Sequence, residues 1–302
     1  MPSSVKSLVS TSEVAARLDP PSSDRRTVLL DVRWRLSGPP GRADYDRDHL
    51  PGAVFVDLDA DLAAPPGPAG RHPLPEPAAL QATLRAAGIN GDDAVVAYDH
   101  GDGSIAARAW WLLRWAGHAD VAVLDGGYAA WTAEGRPVIA DAPKPEQGDI
   151  EVRPGHMPVL DADQAAALAT SESGVLLDAR APERYRGDVE PIDPKAGHVP
   201  GARNAPFSGH VDQTGHWRPP AELAARFAEV AVRPGTQVGA YCGSGVTAAS
   251  VVLALEVSGL TAATAPAALY VGSWSNWSAD PTRPVATGPN PTGDESTEPN
   301  TD

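Results

Sequence analysis

Four short segments of the chain each have a similar counterpart later in the sequence, in the same order, and this internal repeat constrains the fold more than any other feature. The second occurrence follows the first by about 145 residues, which is about the length of one domain. The pairs are Leu29–Arg33 with Leu176–Arg180, Asp48–Ala53 with Gly197–Ala202, Val95–Asp99 with Val238–Cys242, and Leu124–Tyr128 with Tyr270–Trp274. Chance similarity would not preserve the order, so the sequence predicts two copies of one fold.

Short apolar runs alternate with amphipathic segments in both copies. The runs are largely β-branched, which is typical of strands buried on both faces, and the segments between them have helical periodicity. The predicted strands are 28–32, 94–98, 121–124, 175–177, 237–241 and 268–271, and the predicted helices are 77–87, 104–116, 220–229 and 246–258. This alternation predicts the α/β class, with a mainly parallel sheet and helices on both faces in each copy.

The repeat also divides the chain into domains. We predict a first domain over residues 1–145 and a second over 159–285. The linker between them, 146–158, lies in a stretch rich in proline, glycine and charge that begins near Ala142. The final segment, 286–302, has almost no apolar residue to bury, so we expect it to be disordered.

A net charge of −15 at neutral pH limits the partners that the chain can bind. Nucleic acid would be repelled outside any local basic patch, so we expect none as a partner, whereas a small anion responds to the local field of its pocket. No apolar run approaches the roughly 20 residues of a membrane-spanning helix, so we expect no membrane partner.

The chain has a single cysteine, Cys242. It therefore cannot form an internal disulfide or a zinc site built on several thiolates. The segment from Met1 to Ser12 has one lysine and no apolar stretch of the kind found in secretory signals. We expect a cytoplasmic location from these observations.

Cys242 lies where a predicted strand ends and a glycine-rich turn leads into a helix. Gly243 and Gly245 allow backbone N–H groups to turn inward and stabilise an anion, and a helix beginning near Val246 would direct its positive end to the same point. Both effects favour the thiolate, which is the nucleophilic form of cysteine. Open α/β sheets place their sites at the carboxyl ends of strands, so we predict a reactive cysteine rather than a structural one.

Taken together, these motifs resemble the tandem-domain rhodanese-like sulfurtransferases over roughly Ser7 to Val285. The resemblance rests on Cys242–Ala248, Asp178–Arg180, Gly197–Gly201 and Gly272–Trp277. It implies two tandem rhodanese-like domains, a non-catalytic first one and a catalytic second one, and a persulfide carried on Cys242. Asp99 occupies the equivalent position in the first copy, where a carboxylate cannot carry sulfane sulfur.

The loop after the cysteine separates two subfamilies within this resemblance. Thiosulfate sulfurtransferases typically have two cationic residues there, whereas Gly243 and Ser244 are neutral, as in the 3-mercaptopyruvate sulfurtransferases. The resemblance therefore favours 3-mercaptopyruvate as the sulfur donor and leaves thiosulfate as the alternative. It implies no metal or organic cofactor. The acceptor it implies is a thiol, such as thioredoxin or a low-molecular-weight thiol, or cyanide.

The resemblance also assigns individual residues. Those it implies for catalysis are Cys242, Ser244, His72 and Asp59, and those for substrate binding are Arg184, Gly243, Gly245, Val246 and Thr247. Asp61 is an alternative partner for His72, because the spacing between the histidine and Asp59 is longer here. The family uses a second substrate-binding arginine, but segment 187–195 contains none, so Arg186 or Lys195 would have to replace it.

A cysteine phosphatase shares the strand–loop–helix design but needs an arginine six positions after the cysteine, where this chain has Ala248. A non-catalytic rhodanese-type binding module usually lacks the cysteine, which is retained here. Finally, the strand-end residues of the Asp-x-Arg motifs are expected to form structural ion pairs rather than to bind substrate. These residues are Asp31, Arg33, Asp178 and Arg180.

Overall fold

Strands and helices alternate along the residues that the computed structural model describes, which are 6–18 and 25–293. The strands are β1 Leu8–Val9, β2 Thr27–Asp31, β3 Val54–Phe55, β4 Ala94–Tyr98, β5 Val121–Leu124, β6 Val159–Leu160, β7 Gly174–Asp178, β8 Arg203–Asn204, β9 Gln237–Tyr241 and β10 Ala268–Tyr270. The helices are α1 Thr11–Leu18, α2 Gly41–Arg47, α3 Leu58–Asp61, α4 Pro77–Ala86, α5 Ala106–Trp115, α6 Gly127–Ala133, α7 Ala162–Ala169, α8 Pro182–Arg186, α9 Pro220–Glu229, α10 Ala248–Val257 and α11 Ser273–Ala279. A 3₁₀ turn covers Phe207–His210.

Two five-stranded sheets organise these elements, one in each half of the chain. Their strand orders are β1-β5-β4-β2-β3 and β6-β10-β9-β7-β8, so the second sheet repeats the topology of the first. Every pairing between these strands is parallel. The predicted fold class is therefore confirmed. Helices α5 and α10 each begin two residues later than predicted, because the residues before them form a turn.

Alternate residues of the strands pack on opposite faces of each sheet. In β4, Val96 and Tyr98 belong to an apolar cluster on one face, whereas Val95 and Ala97 belong to a cluster on the other. The second of these clusters continues into the second domain, where it includes Cys242, and helices α5 and α10 contact each other within it. One shared apolar core therefore fixes the first domain against the cysteine loop.

A buried ion pair lies at the carboxyl end of one strand in each domain. Arg33 Nη2 is 2.8 Å from Asp31 Oδ2, and Arg180 Nη2 is 2.6 Å from Asp178 Oδ2. The guanidinium group of Arg180 also lies 4.5 Å from the ring centroid of Trp274. The ion pairs predicted from the Asp-x-Arg motifs are thus confirmed.

The segment predicted as a disordered tail is partly ordered. Ala286 exchanges two backbone hydrogen bonds with His198, and Gly201 N–H donates to the carbonyl oxygen of Pro291 at 2.7 Å. Ala286 is also buried. The expectation of disorder is therefore wrong for 286–293, where backbone hydrogen bonds compensate for the lack of apolar side chains. The rest of that segment, 294–302, lies outside the described residues.

The linker segment 146–158 contains no strand or helix and packs on the first domain. Ile150 N–H donates to the carbonyl oxygen of Ile89, and Arg153 N–H donates to that of Ala116. Ile150 and Met157 are buried. Within the described residues, no helix has both the length and the apolar character needed to cross a membrane.

Candidate active site

Cys242 follows β9 directly and is buried at the turn that leads into α10. Its Sγ accepts a hydrogen bond from Gly245 N–H at 3.1 Å and from Ser244 N–H at 3.4 Å. Gly245 has a φ of +82°, and a Cβ there would lie 2.4 Å from the carbonyl oxygen of Val271, so only glycine fits. The loop thus directs two backbone donors at the sulfur, which stabilises a negative charge on it.

Ser244, His72 and Asp59 form a hydrogen-bonded chain that crosses the domain interface. His72 Nδ1 lies 2.7 Å from Ser244 Oγ, and His72 Nε2 lies 2.9 Å from Asp59 Oδ1. Because a carboxylate can only accept, the proton is assigned to Nε2, and Nδ1 accepts from the Ser244 hydroxyl. Trp34 Nε1–H donates to the second carboxylate oxygen at 2.8 Å. This is the order of groups found in hydroxyl–imidazole–carboxylate relays.

Burial lowers the pKa of His72 from its ordinary value of 6.5, and Asp59 opposes that shift. The imidazole is therefore neutral at neutral pH and available as a base. Asp61, the alternative partner, accepts the backbone N–H of Asp57 at 2.8 Å at the start of α3, and burial raises its pKa. The structure thus pairs His72 with Asp59 and not with Asp61.

The equivalent loop of the first domain is occupied by a carboxylate. Asp99 is buried and accepts backbone N–H groups at 2.9–3.1 Å; the donors are Gly101, Gly103, Ile105 and Ala106. Burial, together with the charge of Asp102, raises the pKa of Asp99 to about 6. The backbone donors that would stabilise a thiolate are therefore bonded to an internal carboxylate, consistent with a first domain that does not carry sulfur.

A cleft of about 640 Å³ between the domains contains Cys242. Five of the residues assigned from the resemblance line it besides the cysteine: Gly243, Ser244, Val246, Thr247 and Arg184. Gly245 contributes through its N–H, and His72 and Asp59 are reached through Ser244. The cleft is also lined by first-domain residues, among them Trp34, Leu36 and His100. The site is thus built by both domains.

The two residues considered as replacements for the second arginine lie elsewhere. Arg186 is paired with Asp188 at 2.7 Å on the surface. Lys195 Nζ donates to the backbone carbonyls of Asp280 and Arg283, at 2.7 and 3.2 Å. Neither side chain lines the cleft. Both are held by local contacts of the second domain, so neither takes the expected position.

Sequence reasoning missed two arginines of the first domain. Arg71 lines the cleft beside Gly243. Arg108 is fully buried on α5 and donates from Nη1 to the carbonyl oxygen of Gly245 at 3.2 Å and from Nη2 to that of His72 at 3.1 Å. A sequence signal existed for Arg108, because it is a charged residue between apolar neighbours in Ala106–Trp115.

The duplicated fold, with a single cysteine in an anion-stabilising loop, defines a cysteine-dependent group-transfer enzyme. A rhodanese-like domain model matches residues 10–134 and 161–280. A Pseudomonas aeruginosa protein named as a probable 3-mercaptopyruvate sulfurtransferase is 46% identical over 286 residues, covering 93% of this chain and 98% of its own. SseB of Mycobacterium tuberculosis, named as a putative thiosulfate sulfurtransferase, is 46% identical over 265 residues, covering 86% of this chain and 90% of its own.

The crystal structure of SseA from Escherichia coli, a 3-mercaptopyruvate enzyme by its description, superposes with a TM-score of 0.78 at 30% identity. The match covers 89% of this chain and 99% of that one. The chain therefore belongs to the rhodanese family and is a tandem-domain sulfurtransferase.

Proposed function

We propose that this sulfurtransferase takes sulfur from 3-mercaptopyruvate and carries it as a persulfide on Cys242. The observation that carries the proposal is the neutral loop beside the thiol, in which Ser244 is hydrogen-bonded to His72 at 2.7 Å. The two relatives at 46% identity are named for different donors, so the donor is argued from the site itself. Thiosulfate is the alternative donor, with the same persulfide.

The first half-reaction needs a base and, later, an acid. In the proposed step the Cys242 thiol loses its proton through Ser244 to His72, and the thiolate attacks the sulfur of 3-mercaptopyruvate. The carbon–sulfur bond breaks, and its electron pair leaves with the pyruvate enolate. His72 returns the proton through Ser244 to the enolate carbon, which gives pyruvate and the Cys242 persulfide. Asp59 stabilises the imidazolium that exists between these two proton transfers.

Charge in the loop distinguishes the two donors. Gly243 and Ser244 offer hydrogen bonds but no fixed charge, so they stabilise the thiosulfate dianion less than two cationic residues would. The single carboxylate of 3-mercaptopyruvate suits the planar guanidinium group of Arg184, which lines the cleft.

The second half-reaction passes the outer sulfur of the persulfide to an acceptor, for which we propose a small thiol, thioredoxin or cyanide. Attack on that sulfur by a thiolate or cyanide releases the Cys242 thiolate. None of these steps requires a cofactor. We propose a cytoplasmic location because a lone reactive thiol suits a reducing compartment.

Side-by-side kinetics of the purified protein with the two donors test the proposal. With cyanide as the common acceptor, we expect kcat/KM for 3-mercaptopyruvate to exceed that for thiosulfate by about tenfold or more, since the loop lacks the charges that a dianion needs. The same or a better kcat/KM with thiosulfate would make thiosulfate the donor and leave the persulfide mechanism in place.

The pH profile tests the proposed base. Protonation of His72 removes the base, so activity should fall only below the ordinary imidazole value of 6.5, because burial lowers its pKa. Asp59→Asn keeps a hydrogen-bond acceptor but removes the charge that raises this pKa, so the acid limb should move to lower pH. The control is Trp34→Phe, which removes a bond to Asp59 but no charge. Identical acid limbs in wild type and Asp59→Asn would contradict a base role for His72.

A further inference from the structure

Two guanidinium groups, one from each domain, meet above the residue that follows the nucleophile. A Cβ placed on Gly243 would lie 3.1 Å from Arg71 Nη2 and 3.5 Å from Arg184 Nη1. Both arginines line the cleft that contains Cys242. The position of Arg71 is fixed from the other side of the interface, because its backbone N–H donates to Ser275 Oγ at 3.0 Å.

A shared carboxylate holds the two guanidinium groups side by side. Asp193 Oδ1 is 2.6 Å from Arg71 Nη1, and Asp193 Oδ2 is 3.3 Å from Arg184 Nη2. Glu190 accepts a second bond from Arg184 Nη2 at 2.6 Å. The two acidic side chains are only 3% and 4% exposed and do not line the cleft, so they lie behind the arginines.

The acidic residues leave donors free on the side of the cleft. They bond Nη1 of Arg71 and Nε and Nη2 of Arg184, whereas the atoms nearest Gly243 are Nη2 of Arg71 and Nη1 of Arg184. The donors nearest Gly243 therefore remain available to an acceptor in the cleft.

We propose that Arg71 and Arg184, joined by Asp193, bind the carboxylate of the sulfur donor. We call these three residues the arginine pair and its bridge. The proposal rests on the proposed function, in that the donor carries one carboxylate close to the transferred sulfur. Each guanidinium group keeps one nitrogen, Nη2 of Arg71 and Nη1 of Arg184, on the side of Gly243, so a carboxylate placed between them accepts a charge-assisted hydrogen bond from each. The site that recognises the donor is then completed by the first domain.

The arginine pair also explains why the loop itself is neutral. A cationic side chain at position 243 would start within 3.1 Å of the Arg71 guanidinium and would be repelled by both arginines. The positive charge that an anionic donor needs is supplied from outside the loop, by side chains whose orientation is fixed by buried acids.

Alkylation of the thiol tests the pair without relying on sulfur transfer. Cys242 is the only cysteine, so alkylation rates report on this site alone. Iodoacetate carries its carboxylate directly on the carbon that the thiolate attacks, and iodoacetamide is its neutral analogue. We expect Arg71→Gln to slow alkylation by iodoacetate about tenfold or more, the usual effect of losing one charged hydrogen bond. The rate with iodoacetamide should stay within twofold of wild type.

Arg186→Gln is the matched control, since Arg186 is paired on the surface and outside the cleft; it should change neither rate. Arg71→Lys, which keeps the charge but not the planar fork, should fall between wild type and Arg71→Gln. In turnover assays Arg71→Gln should raise KM for 3-mercaptopyruvate about tenfold and change kcat less than threefold.

Two results would overturn the arginine pair. One is an unchanged iodoacetate rate in Arg71→Gln, and the other is an equal loss of both alkylation rates, which would mean that Arg71 only supports the loop. The assignment of 3-mercaptopyruvate as the donor can be rejected independently of the arginine pair. If the wild type does not use 3-mercaptopyruvate but Arg71→Gln still slows iodoacetate selectively, the pair stands as a carboxylate site for another donor.

Discussion

Cys242→Ser should abolish sulfur transfer from either donor and leave the fold intact. A serine oxygen has nearly the shape of the thiol but cannot hold sulfane sulfur, and every proposed step passes through the persulfide. The backbone donors of Ser244 and Gly245 would still point at the side chain, so the loop keeps its conformation. Intact-mass measurement after addition of donor should show one extra sulfur on the wild type, removable by cyanide, and none on the variant.

The fold control for this variant is urea denaturation. The free energy of unfolding should change by no more than about 1 kcal/mol, because a buried cysteine and a serine differ little in size. Turnover of Cys242→Ser at the wild-type rate would contradict the whole persulfide mechanism. A large loss of stability would instead attribute the lost activity to misfolding, and Cys242→Ala would then repeat the test without a hydroxyl.

The sequence predicted those parts of the site that are close together along the chain. The strand, the turn and the nucleophile fall within one contiguous segment, so Cys242, Gly243 and Gly245 could be placed from local pattern alone, whereas the role of Ser244 came from the resemblance. His72 is 172 residues from Ser244, and only the resemblance suggested that they meet. The structure shows His72 in contact with Ser244 and with Asp59. Asp61 is not its partner, because the Asp61 side chain accepts the backbone N–H of Asp57 at the start of α3.

Contacts between the domains were the part that the sequence could not predict. Arg71 precedes His72 in a proline-rich loop, where an arginine is usually a solvated surface residue. Its position above Gly243 depends on how the two sheets pack around α5 and α10, which no local pattern specifies. The prediction of a disordered tail was wrong for a related reason. Its composition gave no sign that the backbone of Ala286 would pair with that of His198.

Arg108→Met should lower kcat/KM by about a hundredfold or more, because Arg108 joins the two loops that meet at the thiol. Its guanidinium group donates to the backbone carbonyls of Gly245, Leu62, His72 and Pro73 at 3.1–3.3 Å. Without it the relay and the nucleophile are no longer fixed relative to each other, and misplacement by about 1 Å can cost about a hundredfold.

The positive charge of Arg108 is the second reason to expect a large loss of kcat/KM in Arg108→Met. Arg108 is fully buried, and burial lowers its pKa to about 10, so it stays cationic at neutral pH. The titratable group that opposes this shift is Cys242. A fixed cation in a site of low dielectric stabilises a nearby thiolate. Iodoacetamide should therefore alkylate Cys242 more slowly in Arg108→Met than in the wild type.

Comparing stability and alkylation rate in two variants distinguishes the action of Arg108 on the active site from mere support of the domain interface. Removing a charged donor from four carbonyls, three of them buried, should lower the free energy of unfolding by roughly 2–5 kcal/mol, even though the cost of burying the charge is relieved. Arg114→Met is the control, since Arg114 also lies on α5 and crosses the interface, where it pairs with Glu256 at 3.2 Å. We expect it to lose stability but to keep its alkylation rate. An Arg108→Met protein that folds and retains wild-type kcat/KM and alkylation would show that Arg108 neither orders the loops nor acts on the thiolate.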